Sequence, residues 1–147
     1  MNMRHLFYLF YLQIIVMIKF AYTILYVDDV IKSITFYEKA FGFRMKFVTP
    51  DNSYGEVISG DTTLSFATKI LALKNIKDGF IESSLQERPF GIEIGFTTAD
   101  VPATMEAALH AGAQLVAAAI TKPWGQEVGY VRDIDGFLIE ICTPMGG

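Results

Sequence analysis

The sequence predicts an α+β fold built from two tandem β-α-β-β-β modules. The main observation is an internal repeat: TILYVDDVIKSITFYEKAFGF (23–43) and IGFTTADVPATMEAALHAGA (94–113) carry the same signals in the same order. Hairpin turn signals then recur once per half, at Gly60-Asp61 and Asp135-Gly136. Finally, 147 residues with 52% hydrophobic content make one domain's worth of chain with a real core, which excludes disorder.

In the first half a β-type run reaches Asp29, where a helix should begin. The side-chain oxygen of Asp29 can accept the free amide hydrogens of the first turn. Val30, Ile34, Tyr37 and Phe41 fall on one helical face, and Gly42 suits the left-handed position just past the helix. A weakly marked strand is placed near FRMKFVTP (43–50), a third at YGEVISG and a fourth at TTLSFAT (62–68). The segment from Lys69 to Pro89 reads as a linker, with a helical turn in LALKNIKDG. The second half repeats the pattern. Asp100 caps a helix that ends at Gly112, with Val101, Met105, Ala108 and Leu109 on its apolar face. Strands follow at QLVAAAI (114–120), EVGYVRD and FLIEICT (137–143). Between halves, Gly55-Glu56-Val57 is matched to Gln126-Glu127-Val128, and TTLSFAT to FLIEICT. The repeats span about 18–70 and 90–145, inside one domain over 17–147. Two such modules can pair to enclose one concave sheet.

Residues 1–16 stand outside that scheme. Arg4 precedes a mostly apolar run from Leu6 to Ile18, short for a membrane span, and no small-x-small cleavage site follows. The segment reads as an extension upstream of a start at Met17, as an extra packed element or oligomer contact, or as a targeting or anchoring segment. If present in the folded protein, its LFYLFYL stretch needs a cover, because exposed it is an aggregation hazard.

The net charge of −4, with no Lys/Arg cluster outside ordinary helix faces, leaves no footprint for nucleic acid. A single cysteine, Cys142, excludes an intramolecular disulfide and any all-cysteine metal site. The expected compartment is the cytoplasm, without a membrane role. The sequence holds no phosphate-binding glycine loop, no GxSxG and no HExxH, and neither His5 nor His110 is placed for a Ser-His-Asp arrangement.

Glu140 raises the functional question. It is the one carboxylate in FLIEICT, where burying an unpaired charge costs several kcal/mol. Either it meets a partner, such as Arg132, Lys122 or a tyrosine hydroxyl, or it faces a cavity. Strand alternation puts Leu138 and Cys142 on its side, and Ile139 and Ile141 on the helix side. Cys142 then reads as a small core residue beside a carboxylate, not a reactive thiolate. Phe66, alternating with Ser65, belongs to the helix side, and Phe36, Tyr37 and Phe41 to packing. Trp124, in the turn KPWGQE, suits either the mouth of a cavity or an anchor closing the core. Gln126 can donate or accept beside it. Tyr54 and Tyr130, on the third strands, line the cavity or pack.

VDDVIKSITFYEKAFGF and RDIDGFLIEICTP resemble the paired modules of the vicinal-oxygen-chelate superfamily, which holds glyoxalase I, bleomycin-resistance proteins, fosfomycin-resistance enzymes and extradiol dioxygenases. The resemblance spans roughly Ile18 to Met145. It implies mixed sheets that pair into an open concave half-barrel, and a homodimer. Metal-dependent members place ligands on the first and fourth strand of each half. Carried over position by position, those places hold Tyr22, Ser65, Glu93 and Glu140. Two carboxylates survive, while serine and tyrosine are poor ligands unless deprotonated. That set lacks the two histidines of an iron dioxygenase and half the donors of an ordinary glyoxalase I.

The resulting expectation is a glyoxalase/bleomycin-resistance-like protein that binds a small organic molecule in a concave cavity, without a complete catalytic metal site. Tyr22, Ser65, Glu93, Trp124, Gln126, Tyr130 and Glu140 are the candidate ligand-binding residues. Sequestration, as in drug-binding relatives, is one purpose this implies. The alternative is a divalent-metal lyase, isomerase or epimerase acting on a small carbonyl compound. There Glu93 and Glu140 would hold Mg or Mn with water, and Glu140 would be the best candidate base. A third reading leaves the cavity vestigial and the role associative.

Overall fold

A computed structural model describes residues 2–146, in the order α1 (Met3–Val16), β1 (Tyr22–Val27), α2 (Val30–Phe41), β2 (Arg44–Val48), β3 (Tyr54–Ser59), β4 (Thr62–Thr68), α3 (Lys69–Asn75), β5 (Glu93–Thr97), α4 (Val101–Ala111), β6 (Gln114–Thr121), β7 (Glu127–Arg132) and β8 (Leu138–Cys142). The β-type runs on either side of the repeated Asp-helix-Gly units become two four-stranded mixed sheets, ordered β1-β4-β3-β2 and β5-β8-β7-β6. In each sheet the first strand runs parallel to the fourth, and the other pairs are antiparallel. The two sheets are separate. Their edge strands β1 and β5 face the same clefts without hydrogen-bonding to each other. The barrel stays open.

Both helices are set by the predicted caps. Asp29 accepts from Lys32 N at 3.0 Å and Asp100 from Ala103 N at 3.1 Å. Gly42 and Gly112 take positive φ values of 69° and 116°, a region that costs other residues strain, and so stop the helices there. Val30, Ile34 and Tyr37 are buried, as are Val101, Met105 and Ala108. Leu109 departs from the expected face and is 39% exposed, while Ala108 beside it is buried. The helical turn expected in the linker is a full short helix, α3, that starts directly after β4 and is capped by Thr68 Oγ1 on Leu71 N.

One core joins the halves. It runs from Leu25, Val27 and Phe66 through α2 and α4 to Val131, Ile139 and Ile141. Tyr37 is its centre. Its ring lies 5.2 Å from Phe66 and 6.3 Å from Phe96 across the module boundary, contacts worth about 0.5–1.5 kcal/mol each beyond simple burial. Its hydroxyl donates to Asp133 Oδ2 at 2.5 Å, at the β7–β8 turn. Ser33 Oγ donates to Asp135 Oδ2 at 2.6 Å in the same turn. The repeat therefore closes on itself through α2 and the RDIDG turn.

The register corrects one sequence match. In the first sheet Glu56 pairs with Ser65 and Gly55 with Phe66. In the second, Tyr130 pairs with Glu140 and Gly129 with Ile141. Since Ser65 and Glu140 occupy the same position, Glu56 corresponds to Tyr130, not to Glu127, and Gly55 to Gly129, not to Gln126. The slip is absorbed by β6, which has two register shifts against β7, where β2 has one against β3. Bulges of this kind take up extra residues without breaking a ladder.

The N-terminal segment is a helix whose described side chains, 2–11, are all exposed, including Phe7, Tyr8, Phe10 and Tyr11. An extra element packed into its own chain is not what these residues form. Among the described residues no helix is long and apolar enough to cross a membrane.

Candidate functional site

Each sheet has one face under the helices and one open face. Alternation along β8 puts Ile139 and Ile141 into the core at 0% exposure, and leaves Leu138, Glu140 and Cys142 on the open side. Glu93 and Gly95 of β5 lie on that same side, Gly95 pairing with Glu140 and Glu93 with Leu138. Across the other ladder stands Tyr130, whose hydroxyl donates to Glu140 Oε2 at 3.1 Å. Glu140 is half-buried, not sealed in, so FLIEICT needs no counter-charge within the core.

The two carboxylates shift each other in opposite directions. Glu93 is held above the ordinary glutamate range, first by its hydrogen bond with Glu140, then by partial burial and the neighbouring charge. Glu140 is shifted the other way, by the hydrogen bond from Glu93 and then by that from Cys142, with smaller help from Tyr130 and the charge of Lys122. The asymmetry has a structural cause. Glu140 already accepts from a phenol and a thiol, which stabilise its ionised form, and Glu93 has neither, so Glu93 is the harder of the two to ionise. The partners respond in turn. Loss of water and the bond to Glu140 push Tyr130 up to about 12 and Cys142 up to about 11. Cys142 is thus a thiol, not a thiolate, and its sulfur is chemically quiet. Arg132, a partner the sequence allowed for Glu140, is used elsewhere. Its guanidinium donates to the carbonyls of Gly136, Glu87 and Ser84, binding the linker to the β7–β8 hairpin.

The other two family positions form a separate group. Ser65 is fully buried and its hydroxyl donates to Glu56 Oε2 at 3.1 Å. Tyr54 donates to the same oxygen at 3.2 Å. Tyr22 is 49% exposed on that sheet. Sheet membership and hydrogen bonding thus divide Tyr22 and Ser65 from Glu93 and Glu140. Glu56 is the functional-face residue the sequence reading missed. Its signal was available: it alternates with Tyr54 on a third strand, opposite Ser65.

Trp124 is 64% exposed and is not an anchor closing the core. Its indole N–H donates to Gln126 Oε1 at 3.0 Å, and Gln126 Nε2 donates to the Thr143 carbonyl at 2.8 Å. The pair forms the wall of a shallow surface pocket with Pro144 and Met145, fixed to the end of β8.

The donor chemistry argues against a conventional metal centre. Among the described residues no group of three or more His, Cys, Asp or Glu side chains converges. At the four family positions Ser65 is committed to Glu56, Tyr22 sits on the other sheet, and only two carboxylates remain. A catalytic zinc site needs about three strong protein donors and an open position.

Paired β-α-β-β-β modules with a ligand-bearing open face define the vicinal-oxygen-chelate class. Residues 20–146 match the model of the glyoxalase-like domain, and the chain belongs to that family. Solved structures agree on the fold. A glyoxalase-related enzyme from Fulvimarina pelagi superposes with a TM-score of 0.73 at 24% identity, covering 86% of this chain and 88% of that one. A glyoxalase/bleomycin resistance protein/dioxygenase family enzyme from Burkholderia phytofirmans gives 0.69 at 20%, covering 84% and 96%. A lactoylglutathione lyase from Agrobacterium tumefaciens gives 0.63 at 18%, covering 85% and 92%. No curated protein is similar enough in sequence to match.

Proposed function

We propose that this protein binds a small organic molecule on the open face of its second sheet, using the Glu93–Glu140 pair to grip a cationic or hydrogen-bond-donating group. The supporting observation is the placement: Glu93 and Glu140 stand on adjacent strands and on one open side, close enough that Glu93 is harder to ionise than usual, a strain that an ammonium or amidinium group would relieve. Tyr130 orients Glu140 from one side and adds an aromatic wall. Tyr22, Ser65, Trp124 and Gln126 would serve a larger ligand only if it extended beyond the second sheet. Sequestration fits this site better than chemistry on a carbonyl substrate, since its thiol is neutral and it lacks a full metal-ligand set. A cytoplasmic homodimer goes with the same reading. The outer strands β2 and β6 are largely exposed, with Met45, Phe47, Leu115 and Ile120 uncovered, and such edges favour pairing.

Calorimetric titration with benzylamine in two buffers of different ionisation enthalpy tests the proposal. Proton release on binding should grow as the pH falls into the carboxylate range, and Glu140→Gln and Glu93→Gln should each reduce that release and weaken binding about tenfold, the cost of a lost charge-assisted hydrogen bond. Binding insensitive to both substitutions would refute it.

A further inference from the structure

Lys122 opens the tight turn between β6 and β7. Its amide donates to the Gln126 carbonyl at 2.7 Å, and its carbonyl accepts from the Gly125 amide at 2.8 Å. The ladders fix the side on which it stands. Ile120 pairs with Val128, and Val128 with Cys142, so all three belong to the open side that Cys142 shares with Glu140. Lys122 lies two residues beyond Ile120 and opposite Gln126, two residues before Val128, and so belongs to that side as well. Its side chain is partly buried, and its charge reaches Glu140 and helps to keep that carboxyl ionised. Yet the two do not meet, since among the described residues only Lys69 forms ion pairs. The open face thus carries a cation near one end and two acids further along it, with opposite charges held apart. Between these poles stand Ile120, Val128 and Cys142, an apolar floor.

We infer that this face takes a zwitterion, a small amino acid with an apolar side chain, whose ammonium sits at Glu93 and Glu140 and whose carboxylate pairs with Lys122. It rests on the amine-site reading above and narrows it: Lys122 becomes the residue that selects amino acids over plain amines. The arrangement of charge favours such a ligand. A plain amine gains from the two acids but is repelled by Lys122, whereas a plain carboxylate gains from Lys122 and is repelled by both acids. A molecule carrying both charges meets an opposite charge at each end. Each end then spans one charge-assisted hydrogen bond of about 2.8 Å, which suits poles that do not touch directly. The floor between them accepts the carbon skeleton.

Phenylalanine, phenethylamine and 3-phenylpropanoate share one skeleton and differ only in the charges they carry. In calorimetric titrations at pH 7, phenylalanine should bind about three- to tenfold more tightly than phenethylamine, and 3-phenylpropanoate at least about tenfold more weakly than phenylalanine. Lys122→Gln should remove the advantage of phenylalanine and leave phenethylamine unchanged or slightly tighter. Lys122→Arg, which keeps the charge, should restore most of that advantage. Both variants change a turn residue outside the core and should melt with the parent. Phenylalanine no tighter than phenethylamine, or an equal loss of both in Lys122→Gln, would overturn the zwitterion assignment while leaving the amine site standing. Failure of both the amine and the amino acid to bind would remove the amine site, and this inference with it.

Discussion

The open faces of the two sheets use the same positions with the chemistry exchanged. In the first sheet the acid, Glu56, is on the third strand and the hydroxyl, Ser65, on the fourth. In the second the hydroxyl, Tyr130, is on the third strand and the acid, Glu140, on the fourth. The consequence lies in exposure. Glu56 is 7% exposed and its outer oxygen accepts two hydroxyls, so the first face is a closed polar network. Glu140 is only partly buried and its extra partner is a second carboxylate, so the second face is not closed by hydroxyl donors as the first is. The same scaffold closes one face with its own hydrogen bonds and sets the acids of the other, Glu93 and Glu140, beside each other on an open side.

The joint between the halves provides the largest effect. Burial lifts Asp133 to about 6, and the bonds from Tyr37 and from the Phe137 and Asp135 amides only partly offset this. The folded state therefore binds a proton more tightly than the unfolded chain. The penalty is complete above pH about 6, shrinks as pH falls and is gone below about 4, close to 3 kcal/mol in all. Asp133→Asn keeps the shape without the charge. Chemical denaturation across pH should find the variant at least as stable as the parent at pH 7, with that advantage vanishing by pH 4. A constant difference would show that Asp133 is not strained.

Next in size is the contrast between the two acids. Glu56→Ala strands Ser65 and Tyr54 beside a void and should cost about 2 kcal/mol of unfolding free energy. Glu140→Ala should cost under about 0.5 kcal/mol, as a half-exposed site usually does. Equal losses in urea titrations would break the comparison.

Smaller, and sharper, is the glycine pair beneath the helices. A Cβ at Gly55 would lie 2.7 Å from Ile34 Cδ1 and 3.0 Å from Val30 Cγ1, and at Gly129 it would lie 2.2 Å from Met105 Sδ. The second contact is closer, yet methionine is unbranched and can turn away, whereas Val30 is stiff at χ1. Gly55→Ala should therefore lower Tm more than Gly129→Ala, by about 1 kcal/mol in equivalent stability. The opposite order would mean that distance, not side-chain softness, governs these packing sites.

Much of the architecture was legible because its signals are local. Asp29, Gly42, Asp100 and Gly112 act on the turn they belong to, and the Glu140 alternation follows from the strand's period of two. These made the repeat, the helices and the open side of β8 readable from residues alone. The strand match Gly55 to Gln126 failed because bulges in β6 are invisible in composition. Only the folded chain decided which polar groups meet. Glu93 and Glu140 stand 47 positions apart in sequence, brought side by side by the parallel β5–β8 ladder. Tyr37 finds Asp133 across the module boundary, and the Ser83 hydroxyl is left unpaired. Capping and alternation are properties of a few successive residues. A carboxylate pair and an orphaned hydroxyl are properties of a packing arrangement, and no short stretch of sequence contains one.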